Sequence, residues 1–410
     1  MKEGWEVCEL QKHIRLIDYR GRTPKKTDSG VKLITAKNVK LGYLQNHPEE
    51  FIAEDSYEDW MRRGIPEYGD VIFTTEAPLA NVAQLLTHEK VAFAQRTIVM
   101  QPEAEVLDKT FLKYLLLSPE TRDTIFSKGT GATVTGIKSS LLKRIQIPIP
   151  PLTEQKQIVA ILDKAFAAID QAKANIEKNI ENAKELFQSK LNEIFSQPAR
   201  PVGGKGEGSA SLADKWEEKN LGEIAYVKSG GTPSRSKKEY WDNGVIPWYS
   251  SGELNEIFTI TPERYITQEG LDNSNAKLFS KGSLLIGMYD TAALKMSIID
   301  RVATFNQAIA GVEPNDKLDL IFILHAINAI KPELLKQRRG VRQKNLSLTK
   351  IKEIRIGIPD LVTQKRIVEE LSNLKESIGK LIYNLDNKVT DLEELKKSIL
   401  QKAFSGELTA

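Results

Sequence analysis

The sequence has little of what several protein classes require. It contains a single cysteine, Cys8, which excludes intrachain disulfides and metal sites built from several thiolates. It has no run of about 18 apolar residues that could form a membrane-spanning helix. Its first residues lack the apolar core of a secretory signal, so we expect a cytoplasmic protein. The formal net charge of only +3 does not by itself indicate nucleic-acid binding, which would have to come from local clusters of basic residues.

Catalytic motifs are also lacking. The histidines, none of which has a partner at metal-ligand spacing, are His13, His47, His88 and His325. The segment Gly131–Ser139 resembles a phosphate-binding loop, but Ile137 separates its second glycine from the lysine. No serine has the context of a nucleophile elbow. We therefore predict no catalytic residue, no metal and no cofactor on this chain.

The composition that remains is that of an ordinary folded protein. Apolar residues make up 40% of the chain and charged residues 28%, and the mean hydropathy is −0.34. These values exclude a disordered chain or a collagen-like fibre. The length of 410 residues exceeds one typical domain, so we expect two or three compact units.

The chain is an internal repeat. Gly21–Pro24 recurs as Gly230–Pro233, and Ile147–Leu152 recurs as Ile356–Leu361, both at an offset of 209 positions. The offset changes by a few residues within each half and then returns, as insertions in loops on a common scaffold would produce. The sequence therefore predicts a tandem duplication.

The first part of each half has a mixed pattern. Short apolar runs such as Val71–Phe73 and Leu284–Ile286 are bounded by glycine, proline, aspartate or asparagine and predict strands. Helical patterns such as Lys109–Ser118 and Leu318–Ile330 lie between these strands. The fold class predicted for each globular part is α+β or mixed α/β.

The second part of each half predicts a long helix. Apolar residues recur at alternating steps of three and four, which is typical of a coiled coil. The predicted seam consists of Ile158, Leu162, Ala165, Ile169, Ala172 and Ile176 in the first helix and of Ile367, Leu371, Leu374, Ile378, Leu381 and Leu385 in the second. Because neither stripe can remain exposed, we expect the two helices to cover each other as a coiled coil.

Two polar residues interrupt this seam at equivalent positions, Asn179 and Lys388. One interpretation is that both are simply solvated. The other is that they form a polar layer near the midpoint, which would fix the register and the antiparallel direction.

Basic and hydroxyl-bearing residues cluster at equivalent places in both halves, in segments rich in glycine, proline and serine. Lysine and arginine there can neutralise phosphates, and threonine, asparagine and arginine can read base edges. The candidate DNA-binding residues are Arg20, Arg22, Thr23, Lys25, Lys26, Lys37, Asn38, Thr75, Arg96, Lys138, Lys228, Thr232, Arg235, Lys237, Lys238, Tyr289, Arg338, Arg339, Arg342 and Lys344. Ordinary solvated loop charge is the alternative for any one cluster, but clusters repeated by a duplication favour nucleic-acid contact.

The chain resembles the DNA-specificity subunits of type I restriction-modification systems over essentially its whole length. The segments that carry the resemblance are Ser229–Pro233, Ile246–Trp248, Ile34–Val39, Gly69–Val71, Pro150–Gln155 and Leu400–Leu408. The first half departs from the family pattern, with Arg20-Gly21-Arg22 in place of Ser-Gly-Gly and Phe195-Ser196-Gln197 in place of Phe-Ser-Gly.

The resemblance implies two target-recognition domains (1–150 and 215–359) held apart by two conserved helices (151–197 and 360–406) that pair as an antiparallel coiled coil. By its composition, the segment 198–214 between the halves is a flexible linker. Each domain would read one half of a split, asymmetric double-stranded DNA site. A helix of about 40–45 residues rises roughly 60–65 Å, enough to separate two readers by one turn of DNA.

The resemblance also implies partners. These are two modification subunits that methylate adenine with S-adenosylmethionine, and restriction subunits that use ATP and Mg, so these cofactors would belong to the partners. Two alternatives remain open, a coiled-coil scaffold that binds proteins and an orphan DNA-binding subunit without a modification partner. The loops of the two halves differ, so the target bases stay open as well.

Overall fold

The computed structural model describes residues 2–19, 23–131, 135–195, 216–336 and 345–409. The strands of the first half are β1 (Glu6–Glu9), β2 (Ile14–Asp18), β3 (Lys26–Thr27), β4 (Val31–Ile34), β5 (Phe51–Ile52), β6 (Val71–Thr74), β7 (Val82–Gln84), β8 (Val91–Phe93), β9 (Thr97–Pro102) and β10 (Gln146–Ile149). Its helices are α1 (Tyr57–Trp60), α2 (Lys109–Leu117), α3 (Pro119–Ser127), α4 (Ser139–Lys143) and α5 (Leu152–Phe195). The predicted linker 198–214 lies outside the described residues.

The second half has the same kinds of element. Its strands are β11 (Glu217–Asn220), β12 (Val227–Ser229), β13 (Ile246–Tyr249), β14 (Arg264–Ile266), β15 (Leu284–Gly287), β16 (Met296–Ile298), β17 (Thr304–Phe305), β18 (Ile309–Val312) and β19 (Arg355–Ile358). Its helices are α6 (Leu221–Ile224), α7 (Gln268–Asp272), α8 (Leu320–Lys336), α9 (Leu348–Lys352) and α10 (Leu361–Ser405). Among the described residues, no helix combines the length and the apolar character needed to cross a membrane.

The chain forms two compact units. Unit 1 contains Met1–Glu177 together with Leu385–Ala410, and unit 2 contains Lys178–Asn384. These boundaries differ from the predicted domains because each unit includes part of both long helices. The ends of unit 1 are joined directly, since Lys2 Nζ lies 2.7 Å from Glu154 Oε1 and 2.9 Å from the carbonyl oxygen of Thr409.

The sheets of the two units have matching topologies. In unit 1 the main sheet has the order β2-β9-β6-β7, and in unit 2 it has the order β12-β18-β15-β16, with every pairing antiparallel. Each unit has a second sheet with one parallel pair, β4 with β8 in unit 1 and β13 with β17 in unit 2. The strand before each long helix pairs with the first strand of its half, β10 with β1 and β19 with β11. The predicted duplication and mixed fold class are confirmed.

The central strand of each main sheet is buried on both faces. In β6, Val71 and Phe73 belong to the core cluster that contains α2, whereas Ile72 belongs to the cluster between the two sheets. In β15, Leu284 belongs to the cluster with α8 and Leu285 to the smaller second cluster. Because successive strand residues point to opposite faces, an unbroken apolar run serves two cores at once.

The two long helices pair antiparallel. Helix α5 has 44 residues and α10 has 45. In unit 1, Asp170 pairs with Lys396, while Lys173, later in α5, pairs with Glu393, earlier in α10. In unit 2, Leu191 near the end of α5 packs in the same core cluster as Leu371 near the start of α10. The predicted antiparallel coiled coil is confirmed.

The predicted seam is wrong at Leu381, which is 47% exposed. The half-buried residue at this level is Ile382, and the stripe then continues through the buried Leu385. A straight helix has 3.6 residues per turn, so a step of four from Ile378 keeps the stripe facing its partner where a step of three does not. The other predicted seam residues are buried or half-buried.

Asn179 and Lys388 are both exposed, whereas their neighbours Ile180 and Val389 are half-buried. As at Leu381, the apolar stripe is displaced by one residue from the predicted seam, and it passes through Ile180 and Val389. Of the two interpretations left open by the sequence, the solvated one is correct.

Leu371 and Leu381 therefore allow a buried and an exposed leucine on one helix to be compared. Leu371→Ala should lower the free energy of unfolding of unit 2 by about 2–5 kcal/mol, because it removes fully buried methyl groups. Leu381→Ala should cost less than about 1 kcal/mol, because its side chain already contacts water. Urea unfolding of the full chain, followed by circular dichroism, measures both values. Equal decreases for the two variants would contradict the corrected register.

A buried histidine lies in the core of unit 2. His325 on α8 is 4% exposed, and its Nδ1 has no hydrogen-bond partner among the described residues. Its ring packs edge-on against Phe187 of α5, with centroids 6.1 Å apart. Burial, reinforced by the charge of Lys375 and opposed by that of Asp319, lowers the pKa of His325 to about 4. The imidazole is therefore neutral in the folded protein at pH 7.

This histidine should make unit 2 sensitive to acid. The unfolded chain binds a proton at His325 below about pH 6.5, whereas the folded protein resists it until about pH 4. Stability is therefore complete above pH 6.5 and should fall as the pH drops from 6.5 towards 4. His325→Phe should remove this component, and urea unfolding at pH 7.5 and 4.5 would measure it. Identical pH dependence of the two proteins would contradict the assignment, since titrating carboxylates are common to both.

Candidate nucleic-acid interface

One edge of the main sheet of unit 1 gathers loops from distant parts of the sequence. Strand β2 ends at Asp18, which pairs with Ile98, and β6 ends at Thr74, which pairs with Thr97 at the start of β9. Because both strands run antiparallel to β9, the loops after β2 and β6 and the turn before β9 emerge at the same edge.

Backbone hydrogen bonds join these loops to the segment before α4. Thr75 N donates to the carbonyl oxygen of Arg96, and Ile137 N donates to the carbonyl oxygen of Thr75, both at 2.9 Å. Ser139 Oγ lies 2.9 Å from Asp18 Oδ2. We call this region the loop edge of unit 1, comprising residues 18–19, 75–78, 94–96 and 135–139.

Unit 2 builds the same junction from different residues. Met288 N donates to the carbonyl oxygen of Ala308, and Leu346 N donates to the carbonyl oxygen of Met288, both at 2.8 Å. Strands β12 and β15 end beside β18, at Ser229 and Gly287. The loop edge of unit 2 comprises residues 230–233, 288–289, 306–308 and 345–347.

Glycines are required at this edge in unit 2. A Cβ atom on Gly230 would lie 2.1 Å from the carbonyl oxygen of Phe305, and one on Gly231 would lie 2.3 Å from the carbonyl carbon of Asn275. The carbonyl oxygen of Gly231 accepts a hydrogen bond from Trp248 Nε1 at 2.9 Å. The loop is therefore fixed against the sheet by close backbone contacts.

The two edges present different side chains to solvent. In unit 1, Arg96 has a left-handed backbone (φ 80°), and its Nε lies 2.9 Å from Glu76 Oε1, with both side chains about half exposed. In unit 2, the hydroxyl of Thr232 donates to Gln307 Oε1 at 2.5 Å. The left-handed backbone of Arg96 is strained for a non-glycine residue, and such strain is common at functional sites. Because an exposed ion pair is weak, Arg96 can exchange its carboxylate for another anion at little cost.

The structure brings together several of the residues proposed from sequence. The predicted residues at the two loop edges are Thr75, Arg96, Lys138, Thr232 and Tyr289. Lys138 is exposed, and Tyr289 is 37% exposed. Arginine, lysine and tyrosine at a surface loop can contact phosphates or stack against bases.

Other predicted residues lie on neighbouring surfaces. Thr23 and Lys25 line a cavity of about 420 Å³ beside Arg62 and Trp60. Those with solvent-exposed side chains are Thr23, Lys25, Lys26, Lys37, Arg235, Lys237 and Lys238. Lys26 already pairs with Glu50 at 2.7 Å, and the ammonium of the half-buried Lys228 lies 5.7 Å from the centre of the Tyr226 ring.

Two predicted contact residues are structural instead. Asn38 is 2% exposed; its amide donates to the carbonyl oxygens of Gln45 and Pro48, and its Oδ1 accepts hydrogen bonds from the backbone N–H and the hydroxyl of Thr35. Thr75 is also 2% exposed, and its hydroxyl donates to the carbonyl oxygen of Arg96. Both side chains hold loops in place and are not available to a partner.

Six predicted residues lie outside the described part of the chain: Arg20, Arg22, Arg338, Arg339, Arg342 and Lys344. Sequence reasoning also missed two polar residues that the loop edges bring together with predicted ones, Glu76 and Gln307. The repeat contained a signal for Gln307, because Phe93-Ala94-Gln95 matches Phe305-Asn306-Gln307.

His13 has no partner at ligand spacing in the sequence, but the fold places two ligand-type side chains beside it. Ligand atoms of Glu6, Cys8 and His13 lie within 4.8 Å of one another. These donors are already engaged, because Glu6 pairs with Lys12 and His13 Nδ1 lies 2.8 Å from Glu103 Oε2. Burial raises the pKa of the Cys8 thiol, which opposes the thiolate form that binds metals.

Comparison with known proteins finds a family model and several relatives that match this chain. The family model described as the type I restriction modification DNA specificity domain matches residues 3–182 and again residues 213–391. The EcoR124I/EcoR124II specificity subunit of Escherichia coli is 28% identical over 69% of this chain and 68% of its own length. The putative MjaX specificity subunit of Methanocaldococcus jannaschii is 23% identical over 99% of this chain and 94% of its own length.

Solved structures share the fold. A chain from a structure of a type I restriction-modification system, described in terms of its assembly and conformational transition, aligns with a TM-score of 0.71 at 19% identity and covers 99% of both chains. The HsdS subunit of Thermoanaerobacter tengcongensis aligns with a TM-score of 0.63 at 20% identity, covering 99% of this chain and 97% of its own.

Proposed function

The chain belongs to the type I restriction-modification DNA-specificity family, and from this premise we propose that the two loop edges are the surfaces with which it contacts DNA. It is a DNA-recognition subunit with two recognition domains, and it is not itself an enzyme. One observation carries the assignment of the surface. The same backbone junction gathers loops that carry some exposed polar side chains at the same sheet edge in both units, although the loops differ in sequence.

Each unit would read its own half-site. Phosphate contacts by lysine and arginine would position a domain on the duplex, and polar side chains would distinguish the bases. Unit 1 offers Arg96 and Lys138 at its loop edge, whereas unit 2 offers Thr232, Gln307 and Tyr289. Two edges with different chemistry would read two different sequences, which yields a split and asymmetric site.

The long helices would bind the modification subunits. Leu186 of α5 and Leu395 of α10 occupy equivalent positions of the repeat, and each has about half of its surface exposed. An exposed leucine at both positions would offer the same apolar contact to two equivalent partners. One such position in each unit supports two modification subunits per chain, with restriction subunits joining that complex. S-adenosylmethionine, ATP and Mg would be bound by those partners, and the complex would act in the cytoplasm.

The basic residues of unit 1 should act by neutralising phosphates. In the complex with the modification subunits, Arg96→Ala or Lys138→Ala should weaken DNA binding. Each variant should also reduce the slope of log K against log salt by about one unit, because one fewer phosphate is neutralised and fewer counterions are released. Fluorescence anisotropy with a duplex at several salt concentrations measures this slope.

Asn38→Ala is the control for this measurement. It should lower the free energy of unfolding by about 1–3 kcal/mol, because buried hydrogen-bonding groups lose their partner, and it should leave the salt slope unchanged. Unchanged slopes for Arg96→Ala and Lys138→Ala as well would remove these side chains from the interface. A chain that shows no salt-dependent duplex binding would instead support the protein-binding scaffold.

Exchanging residues 1–150 for the corresponding domain of a relative should change one half of the methylated DNA site and leave the other intact. The physical reason is that each unit has its own hydrophobic cores and its own loop edge. Methylome sequencing of a host that expresses the hybrid reads the outcome directly. A change in both halves of the site would show that the two domains do not read independently.

A further inference from the structure

Three ion pairs join α5 to α10 among the described residues. They are Lys173–Glu393 and Asp170–Lys396 (3.5 Å) in unit 1 and Lys190–Glu370 (3.2 Å) in unit 2. The duplication gives each helix an equivalent residue 209 positions away, so each pair can be compared with its counterpart in the other unit. None of the three is repeated.

The first pair illustrates the difference. The repeat equivalent of Lys173 is Ile382, and the equivalent of Glu393 is Lys184. The two positions that form an ion pair in unit 1 are therefore occupied by an isoleucine and a lysine in unit 2. The Lys190–Glu370 pair of unit 2 is not repeated either, because its equivalents in unit 1, Ile399 and Ile161, are both isoleucine.

A cation and an aromatic ring also exchange repeat-equivalent positions. In unit 1 the ammonium of Lys396 on α10 lies 4.7 Å from the centre of the Phe166 ring on α5. The equivalent of Phe166 is Lys375, and the equivalent of Lys396 is Phe187. In unit 2 the cation is thus on α10 at the position of the ring, and the ring is on α5 at the position of the cation. The lysine is therefore on α10 and the phenylalanine on α5 in both units.

We propose that these residues form a pairing code that makes α5 and α10 of one chain select each other and reject the same helix of a second chain. Because the halves are duplicates, each helix has an apolar stripe that could also pair with a copy of itself. Two copies of α5 would place Lys173 against Lys184, twice by symmetry. Two copies of α10 would place Lys375 against Lys396, also twice. Either self-pair loses all three ion pairs and gains like-charge contacts.

Side-chain size supports the same choice. The buried or half-buried stripe of α5 contains Ala165 and Ala183, and their equivalents in α10 are Leu374 and Leu392. A self-pair of α5 would join two alanine-rich stripes and leave voids, whereas a self-pair of α10 would join two leucine-rich stripes and crowd them. The native pair combines the small side chains of α5 with the large side chains of α10.

The charged and aromatic residues determine which helices pair, whereas the apolar stripe supplies the free energy of pairing. Exposed ion pairs contribute little each to stability, so the buried leucines and isoleucines supply the affinity. The selection is needed because the sequence between the halves has the composition of a flexible linker, which would not by itself prevent two chains from exchanging halves. This inference does not depend on DNA binding.

The test begins with the full chain carrying a protease site within 198–214. The folded protein is cleaved, unlabelled and isotope-labelled samples are mixed, and native mass spectrometry counts the pairs after exchange. We expect pairs of unlike halves to exceed self-pairs by about tenfold or more. Unlike pairs at only the half share expected for random association would overturn the proposal.

Single charge reversals sharpen the test. Lys184→Glu should raise self-pairs of the first half by about tenfold, because the new carboxylate would face Lys173 of the copy while the native ion pairs stay intact. Lys173→Glu should do the same and also weaken the native pair, and adding Glu393→Lys should lower the self-pairs again.

Lys178→Glu is the matched control, since Lys178 is exposed on the same helix and away from the stripe. It should leave the distribution of pairs unchanged. If Lys184→Glu and Lys178→Glu give the same distribution, the code does not exist. Should Lys173→Glu fail to fold, Lys184→Glu still decides, because Lys184 belongs to none of the three ion pairs found between the helices in the described part of the chain.

Discussion

The structure depends on the need to cover the apolar stripes of two long helices. Ile158 and Leu162 at the start of α5 are fully buried against the first globular domain, and Leu400 and Ala403 near the end of α10 complete the same core. Unit 2 is assembled in the reciprocal way, with Leu191 from α5 beside Leu371 from α10. Neither hydrophobic core is therefore complete with residues of one half alone, and the chain must bring its two halves together to finish either unit.

The duplication assigns different tasks to scaffold and loops. The scaffold repeats in detail, down to the two backbone hydrogen bonds that join the strand ends to the segment before α4 or α9. Backbone bonds place few demands on side chains, so the loops can diverge without disrupting the junction. Arg96 beside Glu76 in one unit and Thr232 beside Gln307 in the other show this freedom. A recognition subunit needs this division, since the frame must stay constant while the reading surface changes.

The same division is visible between the helices. The apolar stripe is common to both, whereas residues at equivalent positions of the repeat differ in charge, in aromatic character and in size. A repeat protein whose halves were identical would pair with itself as readily as within one chain. We infer that divergence at a few positions in and beside the stripe removes this symmetry.

Much of the architecture followed from the sequence alone. The repeat offset, the strand patterns and the heptad steps established two mixed domains and two long helices, because periodicity and duplication are local properties of the chain. Tertiary structure decided the rest. Whether the stripe passes through Leu381 or Ile382 depends on which face meets the partner helix, and a difference of one residue cannot be read from spacing when both are apolar. Asn38 looked like a contact residue but is buried, because burial depends on a loop closing over it. Thr75, Arg96 and Ile137 are far apart in sequence and meet only because β2 and β6 both run antiparallel to β9, so the loop edge exists only in the folded chain.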